Sequence, residues 1–125
     1  MFRALIVDDH PVFRSTLRQA LAGCFPDSVI DEAEDGALAL EKIEHAQPDL
    51  VLLDINMPGE NGLEITRKIR RDHPAVRVVI LTSYDLPEYR EAAQRHGAHG
   101  FLSKSASGIQ EIVEAVRAVL DSART

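Results

Sequence analysis

Reactive side chains stand at the ends of four apolar runs in this sequence. Asp8 and Asp9 follow the first run, Asp54 follows another, and Thr82 and Lys104 end two more. Carboxylates that are brought together repel one another, and a hard divalent cation such as Mg²⁺ relieves that repulsion. A hydroxyl and an ammonium group bind phosphoryl oxygens. The combination predicts a phosphoryl group that is joined to one of the acids or passes through it.

Each of these residues also has an ordinary structural explanation when it is considered alone. An aspartate at a strand end commonly caps a helix or forms a turn, and a threonine such as Thr82 suits a β-strand. Lys104 alone would be a solvated surface lysine, and Phe101 alone would be a core residue. The chemical hypothesis therefore depends on the joint pattern of the four strand ends.

Apolar periodicity predicts five strands that alternate with five helices. The strands are expected at residues 3–7, 28–35, 49–53, 76–82 and 100–104, and the helices at about 11–24, 36–46, 61–73, 87–96 and 109–120. The second strand alternates polar and apolar residues, as an edge strand does, whereas the first, third and fourth are continuous apolar runs of the kind found in buried parallel strands.

Finer features of the helices are predicted from single residues. Cys24 continues the apolar spacing of the first helix, which predicts a small buried side chain. The pairs Asn61 with Glu64 and Ser107 with Gln110 have the spacing of capping boxes and predict the starts of the third and fifth helices.

The alternation of strands and helices predicts an α/β fold. Right-handed crossovers place helices on both faces of a parallel sheet, and an edge position for the second strand favours the doubly wound, flavodoxin-like order 2-1-3-4-5. In this order the switch point lies between the first and third strands. Asp8, Asp9 and Asp54 are therefore expected to meet at the carboxyl edge of the sheet.

Length and composition limit the classes of protein to which the chain can belong. The 125 residues suffice for one domain, and the net charge of -6 disfavours direct binding to nucleic acid or to an anionic membrane. Cys24 is the only cysteine, which fits a reducing compartment. With no apolar run as long as a membrane span and no signal peptide at the start, the expected location is the cytoplasm.

Four motifs carry a resemblance that covers nearly the whole chain. LIVDDHPVFR, LLDINMPGENGLE, VVILTSY and GFLSKSAS resemble the receiver domain of two-component response regulators, and most of all its NarL/FixJ subfamily. The resemblance implies a receiver domain over residues 1–125 in which Asp54 accepts a phosphoryl group from a sensor histidine kinase. It also implies Mg²⁺, with Asp9 as a direct ligand, Asp8 acting mainly through water, and Asp54 and the backbone carbonyl of Asn56 completing the site.

The resemblance also implies how the phosphoryl group is bound, sensed and lost. Thr82 and Lys104 would bind phosphoryl oxygens, and Thr82 with Phe101 would form the conformational switch. Asn56 and Tyr84 would flank the path of attacking water and so tune the lifetime of the acyl phosphate. The chain departs from the commonest pattern at Phe101, which lacks the hydroxyl of the frequent tyrosine, and in having Ser105 where many receivers have proline.

For the whole protein, the resemblance implies a phosphoacceptor switch and not a turnover enzyme. Beyond its own phosphorylation and slow autodephosphorylation, the domain would control transcription through a helix-turn-helix DNA-binding domain that follows it. We expect a phosphorylation-dependent homodimer, with the fourth helix, fifth strand and fifth helix as the surface that changes. A free-standing receiver that acts through protein contacts is the alternative.

Three other functional classes were compared with the same motifs. A phosphatase of the haloacid dehalogenase type would carry a DxD motif whose second aspartate is the general acid. In this chain that position is Asn56, which cannot donate a proton as a carboxylic acid does. A nucleotide-binding domain would carry a glycine-rich loop after the first strand, where this chain has acids, His10 and Pro11. A phosphate-independent interaction domain is the third class. The five histidines are scattered, and their spacing predicts no transition-metal site.

Overall fold

The computed structural model describes residues 2–57, 59, 61–83 and 86–122, and within them five strands alternate with five helices. The strands are β1 Arg3–Val7, β2 Val29–Ala33, β3 Leu50–Leu53, β4 Arg77–Thr82 and β5 Gly100–Ser103. The helices are α1 Pro11–Cys24, α2 Gly36–Ala46, α3 Gly62–Asp72, α4 Pro87–Arg95 and α5 Ile109–Ser122. The predicted bounds are correct to within two residues at each end. The largest difference is in β2, because Asp35 caps α2 by accepting the Leu38 N–H at 2.8 Å.

The five strands form one parallel sheet in the order β2-β1-β3-β4-β5, which confirms the predicted topology. The register aligns Val7 with Ala33 on one side and with Leu53 on the other. The strands β1 and β3 therefore end at the same level. The residues that follow them, Asp8 and Asp54, emerge side by side at the carboxyl edge of the sheet.

Two apolar layers cover the sheet. Leu5 and Val7 of β1 belong to the cluster that also contains buried residues of α2, α3 and α4, whereas Ala4 and Ile6 belong to the cluster that contains buried residues of α1 and α5. Successive side chains of a strand point to opposite faces, so a strand that is covered on both faces must be apolar throughout. This is why β1, β3 and β4 are continuous apolar runs.

The capping predictions were correct in part. Asn61 does cap α3, since its side chain accepts the Leu63 N–H at 2.7 Å, but Glu64 bonds instead to Arg67 Nε at 2.9 Å. At the last helix, α5 begins at Ile109 and Gly108 directly precedes it, so the predicted cap at Ser107 is off by one residue.

The prediction for Cys24 was wrong, because its side chain is exposed. Cys24 is the last residue of α1, and the apolar contact at this end of the helix is made by the next residue. The Phe25 ring packs edge-on against Phe2 with centroids 5.0 Å apart. The helical spacing continued to Cys24, but the burial that it implied ended one turn earlier, at Leu21.

Among the residues that the structure describes, no helix combines the length and apolar character needed to cross a bilayer.

Candidate functional site

Two carboxylates are buried at the carboxyl edge of the sheet. Asp8 is 2% exposed and Asp54 is 4% exposed. Backbone bonds fix both residues, since the Asp8 N–H donates to Ala33 and the Asp54 N–H donates to Val7. Buried charges are costly unless they are paired, so the fold must supply a positive charge here.

Lys104 supplies that charge from the segment directly after β5. Its Nζ donates to Oδ2 of Asp54 at 3.2 Å and to Oδ2 of Asp8. The side chain is 9% exposed, and Nζ lies 4.4 Å from the centre of the Phe13 ring. One ammonium group thus bridges two buried carboxylates. The sequence predicted that Asp8, Asp54 and Lys104 lie at the same edge of the sheet, but not that Lys104 contacts both acids.

Asp9 and His10 complete a group of potential ligands. The ligand atoms of Asp8, Asp9, His10 and Asp54 all lie within 4.8 Å of one another. Oδ1 of Asp9 is buried and accepts no hydrogen bond; His10 Nδ1 lies 3.1 Å away but makes its hydrogen bond to Oδ1 of Asp8, at 2.9 Å. An unpartnered buried oxygen beside two more carboxylates fits a cation, and carboxylate oxygens are the ligands of hard ions such as Mg²⁺.

The environment of Asp54 favours a cation for a second reason. Burial raises the pKa of its carboxyl group, and the negative charge of Asp8 adds to that effect. The charge of Lys104 and a bond from the Asn56 N–H, at 3.2 Å from Oδ1, act in the opposite direction without cancelling it. When Asp54 is ionised, Lys104 and the Asn56 N–H therefore do not fully compensate its buried negative charge. The same backbone bond brings Asn56 to the site.

The turn after Asp54 requires a glycine. A Cβ atom at Gly62 would lie 2.4 Å from the carbonyl oxygen of Asp54, and the Gly62 N–H donates to Ile55 at 3.0 Å. The start of α3 therefore packs directly on the backbone of Asp54, which helps to hold that residue at the end of β3.

Arg14 is a residue of the site that the sequence reasoning missed. Its Nη1 donates to the backbone carbonyl of Asp8 at 2.6 Å, and its Nε donates to Glu32 of β2 at 2.9 Å. Arg18 donates to the other oxygen of Glu32 at 2.7 Å, and this bond is the main cause that lowers the Glu32 pKa. The sequence did contain a signal for these contacts of Arg14. Two arginines lie four residues apart, on one face of α1, and an acid lies on the neighbouring edge strand.

The predicted switch residues lie on neighbouring strands. Thr82 is fully buried opposite Ser103, and its carbonyl accepts the Lys104 N–H at 2.9 Å. Phe101 is half-buried opposite Ile80, and its ring packs under the guanidinium of Arg90 at 4.6 Å.

Two further sequence features of this edge have different outcomes. The Oγ of Ser105 bonds to Ser103 Oγ at 3.0 Å, so the residue that replaces the frequent proline holds the loop after β5 through its hydroxyl. Tyr84, to which a role in phosphoryl lifetime was assigned, lies outside the residues that the structure describes.

Comparison with known proteins places the chain in a family. A family model for the response regulator receiver domain matches residues 4–117. The response regulator GacA of Pseudomonas viridiflava is 38% identical over 124 residues, and the probable transcriptional regulatory protein NarL of Mycobacterium tuberculosis is 38% identical over 122. These matches cover 99% and 98% of this chain but only 58% and 55% of the two relatives.

Solved structures agree with the sequence matches. The signal receiver domain of NarL from Mycobacterium tuberculosis is 40% identical with a TM-score of 0.85, and the match covers 98% of this chain and 96% of that one. The response regulator TrrA of Thermotoga maritima, in complex with Mg(2+)-BeF, is 36% identical with a TM-score of 0.84, and the match covers 95% and 99% of the two chains.

Proposed function

Because this chain belongs to the response regulator receiver domain family, we propose that Asp54 is the residue on which it accepts a phosphoryl group. The observation that carries this proposal is the buried Asp54 carboxylate at the switch point, held 3.2 Å from the ammonium group of Lys104. We assign the receiver domain to the whole of residues 1–125.

The donor in this proposal is the phosphohistidine of a sensor histidine kinase. A carboxylate oxygen of Asp54 attacks phosphorus, the P–N bond breaks, and its electron pair returns to the imidazole nitrogen of the donor. The product is an acyl phosphate on Asp54. Lys104 stays beside the group as charge moves onto the phosphoryl oxygens, and Thr82 at the neighbouring strand end binds one of them.

The acids beside Asp54 hold Mg²⁺ in the same proposal. Asp9, Asp8 (mainly through water), Asp54 and the carbonyl of Asn56 are the assigned ligands, and the unpartnered Oδ1 of Asp9 supports the assignment. When bound, the ion neutralises negative charge on the phosphoryl oxygens during in-line transfer. The Mg(2+)-BeF complex of the related TrrA is consistent with such a site.

Phosphorylation is proposed to act as a two-state switch. Thr82 moves toward the phosphoryl group, and Phe101 turns into the space that Thr82 leaves, which alters the surface of α4, β5 and α5. The guanidinium of Arg90 covers the Phe101 ring, so it must shift when the ring turns. Asn56 and Tyr84 control the slow loss of the phosphoryl group to water, which is the only hydrolysis that we assign to the domain.

The proposed output is regulation of transcription in the cytoplasm. GacA and NarL are regulators that extend well beyond the matched region, and NarL is named as a transcriptional one. We therefore propose that the full protein binds DNA through a helix-turn-helix domain after residue 125 and that phosphorylation promotes a homodimer. A free-standing receiver is less favoured by these relatives. Sedimentation with and without beryllofluoride tests the dimer, and an unchanged mass would contradict it.

Intact-mass measurement tests the phosphoacceptor. With acetyl phosphate and Mg²⁺, the wild-type chain should gain one phosphoryl group, and Asp54→Asn should gain none because an amide is not a comparable nucleophile. Asp72→Asn, an exposed position at the end of α3, is the matched control and should be phosphorylated like the wild type. Undiminished phosphorylation of Asp54→Asn would remove the assignment.

A further inference from the structure

Two arginines and a histidine lie together at the amino edge of the sheet, the end opposite to Asp54. Arg70 is in the last turn of α3, Arg77 begins β4, and His99 directly precedes β5. All three side chains are half-buried. We call this group the amino rim. None of its members takes part in the function proposed above.

Arg70 is held across two neighbouring turns. Its Nη1 donates to the carbonyl of Pro74 at 2.6 Å, in the turn between α3 and β4. Its Cγ and Nε lie 3.0 and 3.1 Å from the position that a Cβ atom would take at Gly97, in the turn between α4 and β5. The glycine therefore lets the arginine pass close to the backbone. A guanidinium group that is already positioned loses less conformational entropy when it binds a ligand.

His99 offers a hydrogen-bond donor at the same rim. Its backbone N–H donates to the Val78 carbonyl at 2.7 Å, and its Nδ1 accepts the Val78 N–H at 3.0 Å. Because Nδ1 is the acceptor, the neutral ring carries its proton on Nε2. Within the part of the chain that the structure describes, this second N–H has no hydrogen-bond acceptor, so it can donate to a ligand.

The two arginines approach His99 from opposite faces of the sheet. Val78 belongs to the apolar cluster under α2, α3 and α4, which is the side of Arg70. Side chains alternate along a strand, so Arg77, the residue before Val78, starts toward the other face. Burial lowers the pKa of His99, and the charges of Arg70 and Arg77 lower it further, which places both guanidinium groups near the ring.

The acids near the amino rim are bonded to other groups. Asp72 makes two bonds to Arg71, at 2.8 and 3.0 Å. The carbonyl of Asp49 accepts the Arg77 N–H at 3.0 Å, but its carboxylate accepts a backbone N–H of β1 at 2.9 Å. Among the residues described, neither Arg70 nor Arg77 forms an ion pair with a carboxylate. The amino rim is thus a positive region in a chain whose net charge is -6.

The dipole of α3 does not account for this arrangement. A cation in the last turn of a helix is stabilised by the dipole, and Arg71 already provides one there. Arg77 is on a strand, where no such dipole acts. Two arginines that flank a histidine and lack an acid need another source of negative charge.

Guanidinium groups match the oxygens of phosphate and carboxylate groups, and donors that come from three directions suit a tetrahedral anion better than a planar one. We propose that the amino rim binds a phosphate or pyrophosphate group, held by Arg70 and Arg77 from the two faces of the sheet and by His99 Nε2 between them. The six residues of β4 span about 20 Å at about 3.3 Å per residue, so this site is separate from the phosphorylation site.

Inorganic pyrophosphate is the first probe, added in EDTA so that no divalent cation takes part. Amide NMR signals of Val78, Gly97 and His99 should shift, whereas those of Asp54 and Lys104 should not. Formate, a planar anion, should shift the same signals much less. No shift at the amino rim, shifts mainly around Lys104, or equal shifts with formate would each overturn the proposal.

Adenosine diphosphate carries the pyrophosphate group on an organic molecule and identifies the source of the ligand. Tighter binding of adenosine diphosphate than of inorganic pyrophosphate would indicate a nucleotide. Equal or weaker binding would indicate the free anion. Both results retain the site, because the recognised group is the same.

Matched arginine variants test the contacts. Arg70→Gln and Arg77→Gln should each weaken pyrophosphate binding by about tenfold, since each removes a hydrogen bond between charged groups. Arg71→Gln makes the same change of charge in the same turn of α3 and should bind like the wild type.

Arg77→Gln is the decisive variant, because Arg70→Gln also loses the bond to Pro74 and could loosen that turn. Wild-type affinity in Arg77→Gln, or an equal loss in Arg71→Gln, would overturn the proposal. These results are independent of Asp54, whose phosphorylation is tested separately by intact mass.

Discussion

Removing the ammonium group of Lys104 tests how the buried charges are balanced. Lys104→Met keeps a long unbranched side chain in the same space but leaves Asp8 and Asp54 without the cation that they share. Both acids are almost fully buried, so solvent cannot replace that cation without some opening of the site.

The expected loss of stability follows from the observed geometry. A pair of unit charges at 3.2 Å, the distance from Lys104 Nζ to Asp54 Oδ2, attracts with about 5 kcal/mol at an effective dielectric constant of about 20. Breaking a buried pair costs about 3–5 kcal/mol in proteins. Since a carboxylate can take up a proton, we expect the lower end, about 3 kcal/mol, or a fall of roughly 10 °C in Tm for a domain of this size.

Urea and thermal unfolding in EDTA measure the loss, and Lys42→Met is the matched control. Lys42 Nζ lies 3.1 Å from Oδ1 of Asp31, a similar distance, but that aspartate side chain is 57% exposed. Exposed pairs contribute under about 1 kcal/mol. Saturating Mg²⁺ should stabilise Lys104→Met more than the wild type, because the ion replaces the missing charge.

The pH dependence provides an independent check. Lys104 opposes the rise in the pKa of Asp54, so this pKa rises further in Lys104→Met. An acid whose pKa is higher in the folded state than in the unfolded state destabilises the fold while it is ionised. This penalty is complete above the folded-state pKa, falls as the pH drops below it, and is gone below the unfolded-state pKa. The difference from the wild type should therefore shrink toward acid pH. A variant no less stable than Lys42→Met, and stabilised no more by Mg²⁺ than the wild type, would refute this reasoning.

Substitutions at Asp9, Arg14 and His99 test other contacts of the structure. Asp9→Asn should weaken Mg²⁺ binding by calorimetry more than Asp8→Asn does, because Oδ1 of Asp9 accepts no hydrogen bond whereas Asp8 is already bound by Lys104, and equal losses would argue against this. Arg14→Gln should lower Mg²⁺ affinity by about tenfold in the same assay, since it removes the 2.6 Å bond to the Asp8 carbonyl, and an unchanged affinity would exclude a positioning role. His99 Nδ1 accepts the Val78 N–H at 3.0 Å only while the ring lacks a proton there, and burial lowers the pKa of His99. The stability that this contact provides is complete above the unfolded-state histidine pKa, about 6.5, and falls as the pH drops below it. His99→Asn keeps an acceptor that does not titrate, so its urea unfolding should lose less stability toward acid pH, and parallel profiles would contradict the assignment.

The sequence was most informative where the backbone alone decides the arrangement. Buried parallel strands must be apolar on both faces, so β1, β3 and β4 could be located within a residue. Once the order of the strands was inferred, Asp8 and Asp54 had to meet, because β1 and β3 end at the same level.

Long side chains and the ends of helices were harder to predict. Nothing in the spacing of Lys104 shows that it reaches Asp8 as well as Asp54, since a flexible side chain can extend in several directions. Arg14 was missed for the same reason. Cys24 shows the opposite error, in which a helical period was followed past the point where the helix still packs on the core.

The acyl phosphate on Asp54 is the central claim, and chemical trapping tests it most directly. Borohydride reduces an acyl phosphate to an alcohol, so a phosphorylated aspartate becomes homoserine, which peptide mass spectrometry can locate. After treatment with acetyl phosphate and Mg²⁺, we predict homoserine at position 54, and none when EDTA replaces the Mg²⁺. Homoserine at position 8 or 9, or a stable phosphoryl group on a residue that borohydride leaves unchanged, would contradict the account.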